Sequence, residues 1–180
     1  DGLQRMALVS LLAEMLSAPF YNSLRTEKQL GYVVSAFASN LDLVPGLTML
    51  VQSPIADEVE LRREFELFID DFAEDVERLS EADLQRYKDS LLSSLTEKPK
   101  NLGELNGRFM ESLKLGYKSF DFRTQLAAAI NAVSVASLQK SYQQIIANDS
   151  RRLWVTTAAM REDDTAIDLR IDGQHYRYDF

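Results

Sequence analysis

Residues 19–34 read Pro19-Phe20-Tyr21-Asn22-Ser23-Leu24-Arg25-Thr26-Glu27-Lys28-Gln29-Leu30-Gly31-Tyr32-Val33-Val34. The stretch begins as a helix end, with apolar Phe20, Tyr21 and Leu24 facing one way. A polar turn, Thr26 to Gln29, follows. Gly31 stands at the hinge, where a residue without Cβ adopts backbone angles that others resist. A β-branched run then opens at Val33. Arg25 enters the turn and Tyr32 leaves it: a permanent cation with a five-donor fork, and a phenolic donor. Were the segment wholly helical, both side chains would share a face, ~10 Å apart. A chain turning at Gly31 would bring them closer, and the sequence does not choose between the two.

Working outward, residues 3–17 are apolar on most sides, which predicts a buried helix. Pro19 should kink that helix or start a new segment. Tyr32 to Ser39 and Leu47 to Gln52 read as an antiparallel strand pair, separated by a loop that contains Pro45-Gly46. Ser53-Pro54 reads as an N-cap followed by proline at the first helical position. The next helix carries Leu61, Phe65, Phe68, Phe72, Val76 and Leu79 in steps of three and four. Arg62, Arg63, Glu66, Asp70, Asp71, Glu74 and Glu77 fill its other face. Ser80, Asn101, Asp121 and Ser134 each read as the cap of a further helix. Lys98-Pro99-Lys100 is a stop, Asn148-Asp149 ends the last helix, and Leu153 to Thr157 is a strand. In the tail, Ile167, Leu169 and Ile171, then Tyr176, Tyr178 and Phe180, alternate around Asp172-Gly173. That reads as a tight hairpin with Leu169 opposite Tyr176 and Ile167 opposite Tyr178, a frayed terminus being the competing reading. The sum is α+β: a two-layer sandwich, an antiparallel sheet packed by several helices.

The chain has 180 residues, enough for one domain with a real core. Its formal charge of -8, with no long basic run, argues against nucleic-acid binding. No apolar stretch approaches the ~20 residues that span a bilayer. There is no cysteine, which excludes disulfides and thiolate metal sites, and His175 is the one histidine. A lone histidine is a poor metal ligand, since ligands come in sets. The adjacent acids Asp70-Asp71 and Asp163-Asp164 do not face each other on a helix and make no acid/base dyad. No nucleophilic cysteine, phosphate loop or Gly-x-Ser-x-Gly elbow is present.

Residues 19–32 closely resemble a segment of the insulinase (pitrilysin) family of zinc metallopeptidases, Pro-[Phe/Cys]-[Phe/Tyr]-Asn-x-Leu-Arg-Thr-x-x-Gln-Leu-Gly-Tyr, and match it without a gap. The resemblance continues more weakly to about residue 160, through Val51-Gln52-Ser53 and Lys98-Pro99-Lys100 to Trp154. In that family the segment lies in the last domain of the C-terminal half. The resemblance implies a C-terminal insulinase-like domain over 1–160 that lacks its first strands, followed by a tail over 161–180. It also implies a chamber-closing domain in which Arg25 and Tyr32 bind the substrate backbone and the Tyr32 hydroxyl stabilises the tetrahedral intermediate in trans; the alternative is a non-catalytic structural or assembly domain of a peptidase-like protein. Asn22, Gln29 and Gly31 would shape the turn. Zinc hydrolysis there uses His-x-x-Glu-His, which this chain lacks, so no metal or cofactor is expected in it. Zinc is expected in the N-terminal domain of the parent. The implied partners are that N-terminal catalytic half, a peptide substrate, and a second copy joined through an exposed sheet edge. A strand swap and the tail hairpin folding onto that edge are the other ways to cover it. Bacterial members of the family are often periplasmic, an analogy that leaves this chain's compartment open.

Overall fold

Helix α1 (Gly2–Tyr21) packs against the first sheet and three of the helices. Ala7, Val9, Leu11, Leu12, Ala13, Met15, Leu16 and Phe20 are buried along it. A helix with no polar face is stable only when covered on most sides. One side is covered by an antiparallel pair, β1 (Val33–Leu41) and β2 (Val44–Gln52). The helices α3 (Glu81–Thr96), α5 (Phe122–Asn131) and α6 (Val135–Ile145) also pack on it. The computed structural model describes residues 2–41, 44–117, 119–148, 152–157, 166–171 and 174–179. It is an α+β domain, with a helical layer packed against an antiparallel sheet through α1.

The strand pair runs Val34 opposite Val51 and Ala36 opposite Met49. Val34 and Ala36 are buried, and Val51 and Met49 pack against the core. Both strands extend into the expected loop, with Ser39 opposite Gly46 and Asn40 opposite Pro45. Proline is tolerated there because each strand of a two-stranded sheet is an edge and has one row of donors to spare.

Helix α2 (Glu58–Glu77) buries Phe65, Phe68, Phe72 and Val76, with Leu61 and Leu79 packed against the same core. Its cap is Asp57, not Ser53: the Asp57 side chain accepts the Glu60 N–H at 2.8 Å. Ser53 closes a turn of its own, accepting the Ile55 and Ala56 N–H groups at 3.1 and 2.8 Å. Asp57 wins because it carries negative charge at the positive end of the helix. Ser80, Asn101 and Ser134 cap α3, α4 (Leu102–Lys114) and α6 as their sequences indicate. Asp121 precedes α5 without a side-chain cap bond.

A second sheet has the order β3 (Val155–Thr157), β4 (Ala166–Ile171), β5 (Gln174–Asp179). Ile167 lies opposite Tyr178 and Leu169 opposite Tyr176, while Val155 lies opposite Ile171. The β4–β5 pair hydrogen-bonds to β3 and to neither β1 nor β2, so it is not what covers the edges of the first sheet. Just before β3, Trp154 meets Phe65 edge-on at 5.7 Å, with the Arg62 guanidinium 4.9 Å over its ring. The turn residues Asp172 and Gly173, the pair Asp163-Asp164 and Asp149 lie outside the described residues.

Candidate functional site

Pro19 does not end α1. The helix runs through it to Tyr21, although proline cannot donate to the carbonyl four residues back. The departure comes next: Asn22–Glu27 is a π-helix. The Lys28 N–H reaches back to the Ser23 carbonyl at 3.0 Å, and the Leu30 N–H to the Leu24 carbonyl at 2.9 Å. Such widened turns are rare and concentrate at functional sites. Phe20 and Leu24 anchor the segment in the core with no exposed surface. The Phe20 ring lies 5.2 Å from Phe65 and 5.1 Å from Phe68. Tyr21 does not join them. It is 46% exposed, because successive helical residues point about 100° apart.

The chain reverses at Gln29, whose φ is 53°. This places the left-handed residue two positions before Gly31, where the sequence suggests it. Gly31 answers a different need. A Cβ there would stand 2.8 Å from Val51 Cγ1 and 2.9 Å from the Gln52 carbonyl oxygen. That carbonyl accepts the Tyr32 N–H at 3.0 Å, which ties the turn to the end of β2.

Arg25 and Tyr32 both stand on this turn. The Arg25 Nη1 donates to the Gly31 carbonyl at 2.6 Å, one residue from Tyr32. Both side chains are exposed, Tyr32 by 53%. Among the described residues the Tyr32 hydroxyl has no hydrogen-bond partner, and Arg25 uses one of its five donors. The turn thus carries an exposed cation bonded to the Gly31 carbonyl and, on the next residue, an exposed phenol.

Lys28 and Glu64 form an ion pair at the end of this turn. Lys28 ends the π segment, and its Nζ donates to Glu64 Oε2 in α2. Glu64 is 7% exposed and accepts Arg63 Nη2 at 3.0 Å on its other oxygen. The Lys28 bond first, and the Arg63 bond after it, hold its carboxyl below the usual carboxylate range. The two partners lie 36 residues apart, so no local pattern connects them. The only sequence signal is Glu64's place next to Phe65, on the inward side of a charge-rich helix.

The described residues contain no group of three or more His, Cys, Asp or Glu placed to hold a metal ion. They therefore do not fit a zinc site of the family type, and no chemistry through zinc is assigned to this chain's residues. Among them, no helix is long and apolar enough to cross a membrane.

Residues 11–110 match the family described as PQQ synthase PqqF-like, C-terminal lobe domain 4. The A-factor-processing enzyme of Saccharomyces cerevisiae is 27% identical over 144 residues, covering 80% of this chain and 14% of the relative. Insulin-degrading enzyme of Drosophila melanogaster is 25% identical over 167 residues, covering 88% and 16%. The crystal structure of pitrilysin superposes with a TM-score of 0.75 at 25% identity, over 82% of this chain and 16% of that one. An inactive peptidase domain from Bordetella parapertussis superposes with a TM-score of 0.65 at 13% identity, over 97% and 84%. The chain thus spans about a sixth of the length of the curated relatives it matches.

Proposed function

We propose, from the premise that this chain belongs to the PqqF-like family of C-terminal lobe domain 4, that it closes the chamber of a zinc peptidase and binds peptide substrate there. The chain is a peptidase-like C-terminal domain of the insulinase-family zinc proteases. In this reading it lends Arg25 and Tyr32 in trans to an N-terminal half that holds the zinc. The metal there would supply the activated water and a Lewis acid. This chain's part is electrostatic. A carbonyl under attack gathers negative charge on its oxygen, and a donor already aimed at that oxygen lowers the barrier. Tyr32 is the neutral donor, and Arg25 binds the substrate backbone beside it.

The observation that carries the reading is the Arg25–Gly31 hydrogen bond. It ties the cation to the backbone one residue before Tyr32, whose hydroxyl has no partner among the described residues. Backbone bonds to Ser23 and Gln52 tie down both ends of the turn, which supports the reading. Donors held in place before reaction cost no reorganisation when charge develops.

The test is kinetic and uses the full-length peptidase. Tyr32→Phe should lower kcat by ~10²-fold, as loss of one oxyanion donor does. Arg25→Ala should raise KM or lower kcat. The isolated chain should hydrolyse nothing. If both variants keep near-wild-type kinetics, the domain's role is assembly, and the catalytic assignment is withdrawn.

A further inference from the structure

We propose that Glu64 is the positioning residue of the Arg25/Tyr32 turn: fixed in α2, it grips Lys28 at the end of the π segment and so sets where both side chains stand. The significance for catalysis rests on the function proposed above; the grip itself does not.

The turn needs such a grip. Residues 25–29 are all exposed, so burial does not hold them. Gln29 occupies a left-handed conformation that a residue with a side chain adopts at a cost. The π segment gives up the regular helical hydrogen-bond ladder. Between the anchors Leu24 and Leu30, the Lys28–Glu64 pair is the one side-chain tie from this turn to α2 among the described residues. The tie is directional. Glu64 is buried and spends one oxygen on Lys28 and the other on Arg63. A buried carboxylate with both oxygens committed tolerates little displacement of its partners. Buried ion pairs are poor sources of net stability compared with apolar packing, and their best-attested use is to fix one geometry. Here the geometry fixed lies three residues from Arg25 and four from Tyr32.

Hydrogen exchange on this chain tests the grip without any assay of peptidase activity. The Lys28 and Leu30 amides report the turn, and the Ile146 amide, bonded to the Tyr142 carbonyl at the end of α6, reports the rest of the fold. Glu64→Gln should speed exchange at Lys28 and Leu30 about tenfold and leave Ile146 unchanged. Lys28→Met, at a more exposed position, should do the same where Glu64→Gln fails to fold. Unchanged exchange at Lys28 and Leu30, or an equal rise at Ile146, overturns the proposal. In the parent peptidase, Glu64→Gln should lower kcat in the wild-type background and cost little more on top of Tyr32→Phe, because it acts through that residue. A full additional loss there overturns the link to Tyr32. Inert Tyr32→Phe with a loosened turn would instead sink the catalytic reading alone.

Discussion

Gly31 shows how a residue can be read correctly as important and wrongly as to cause. In sequence, a glycine between a polar turn and a strand suggests a positive φ. In the structure the positive φ belongs to Gln29, and Gly31 is needed because β2 passes too close for a methyl group. The neighbours are a β-branched side chain and a backbone carbonyl already bonded to Tyr32, and neither can yield freely. Gly31→Ala should therefore cost roughly 1–3 kcal/mol of stability by overpacking, read from the midpoint of urea unfolding. A midpoint equal to wild type would mean that the strand end shifts without resistance. Close approach between segments 20 residues apart in sequence leaves no local signature. Glu64 is illegible for the same reason, since what distinguishes it from Glu66 or Glu74 is a lysine on another element. Arg25 and Tyr32 stand out earlier because their matched spacing carries the resemblance, not because composition marks them.

At the scale of elements, the α2 stripe is legible because burial repeats with the helical period. Phe65, Phe68, Phe72 and Val76 are inward as their spacing requires. The caps at Ser80, Asn101 and Ser134 are legible because the bonds they make span three residues. The π segment is not. Over six residues, an i→i+4 and an i→i+5 ladder impose nearly the same pattern, and what marks the wider one is the Lys28 N–H bonded to the Ser23 carbonyl five residues back. Phe20 is the joint between α1 and α2, packed on two phenylalanine rings with a third aromatic contact, Trp154, beyond Phe65. Phe20→Ala should destabilise the fold by about 3–5 kcal/mol, from lost burial and the cavity left behind. Thermal unfolding of the variant checks this, and a loss under about 1 kcal/mol would show that the rings close over the gap.

The molecule as a whole is built around an apolar helix with a two-stranded sheet on one side. Each of those strands has a row of backbone donors and acceptors facing away from its partner. The β4–β5 pair is committed to β3 and does not relieve this. We therefore expect the chain to self-associate through β1 or β2 as its concentration rises, visible by sedimentation velocity as growth of a dimer. A single monomeric species throughout would rule that out. The α+β class is readable from the order of strand-like and helix-like runs. That the tail forms a sheet apart from the first is not readable, because alternation names a strand's faces and never its neighbour.

The widened turn has one more consequence. A π-helical segment is a regular helix with one residue to spare. Removing a residue between 22 and 27 would let α1 continue in its ordinary winding, with a cleaner hydrogen-bond ladder. It would also swing everything downstream by about 100° around the helix axis. Arg25 would lose its reach to the Gly31 carbonyl, and Tyr32 its place at the mouth of β1. The backbone is thus least regular at the point where the side chains are most carefully aimed. Shortening the segment by one residue would favour a steadier helix at the expense of the turn that carries Arg25 and Tyr32.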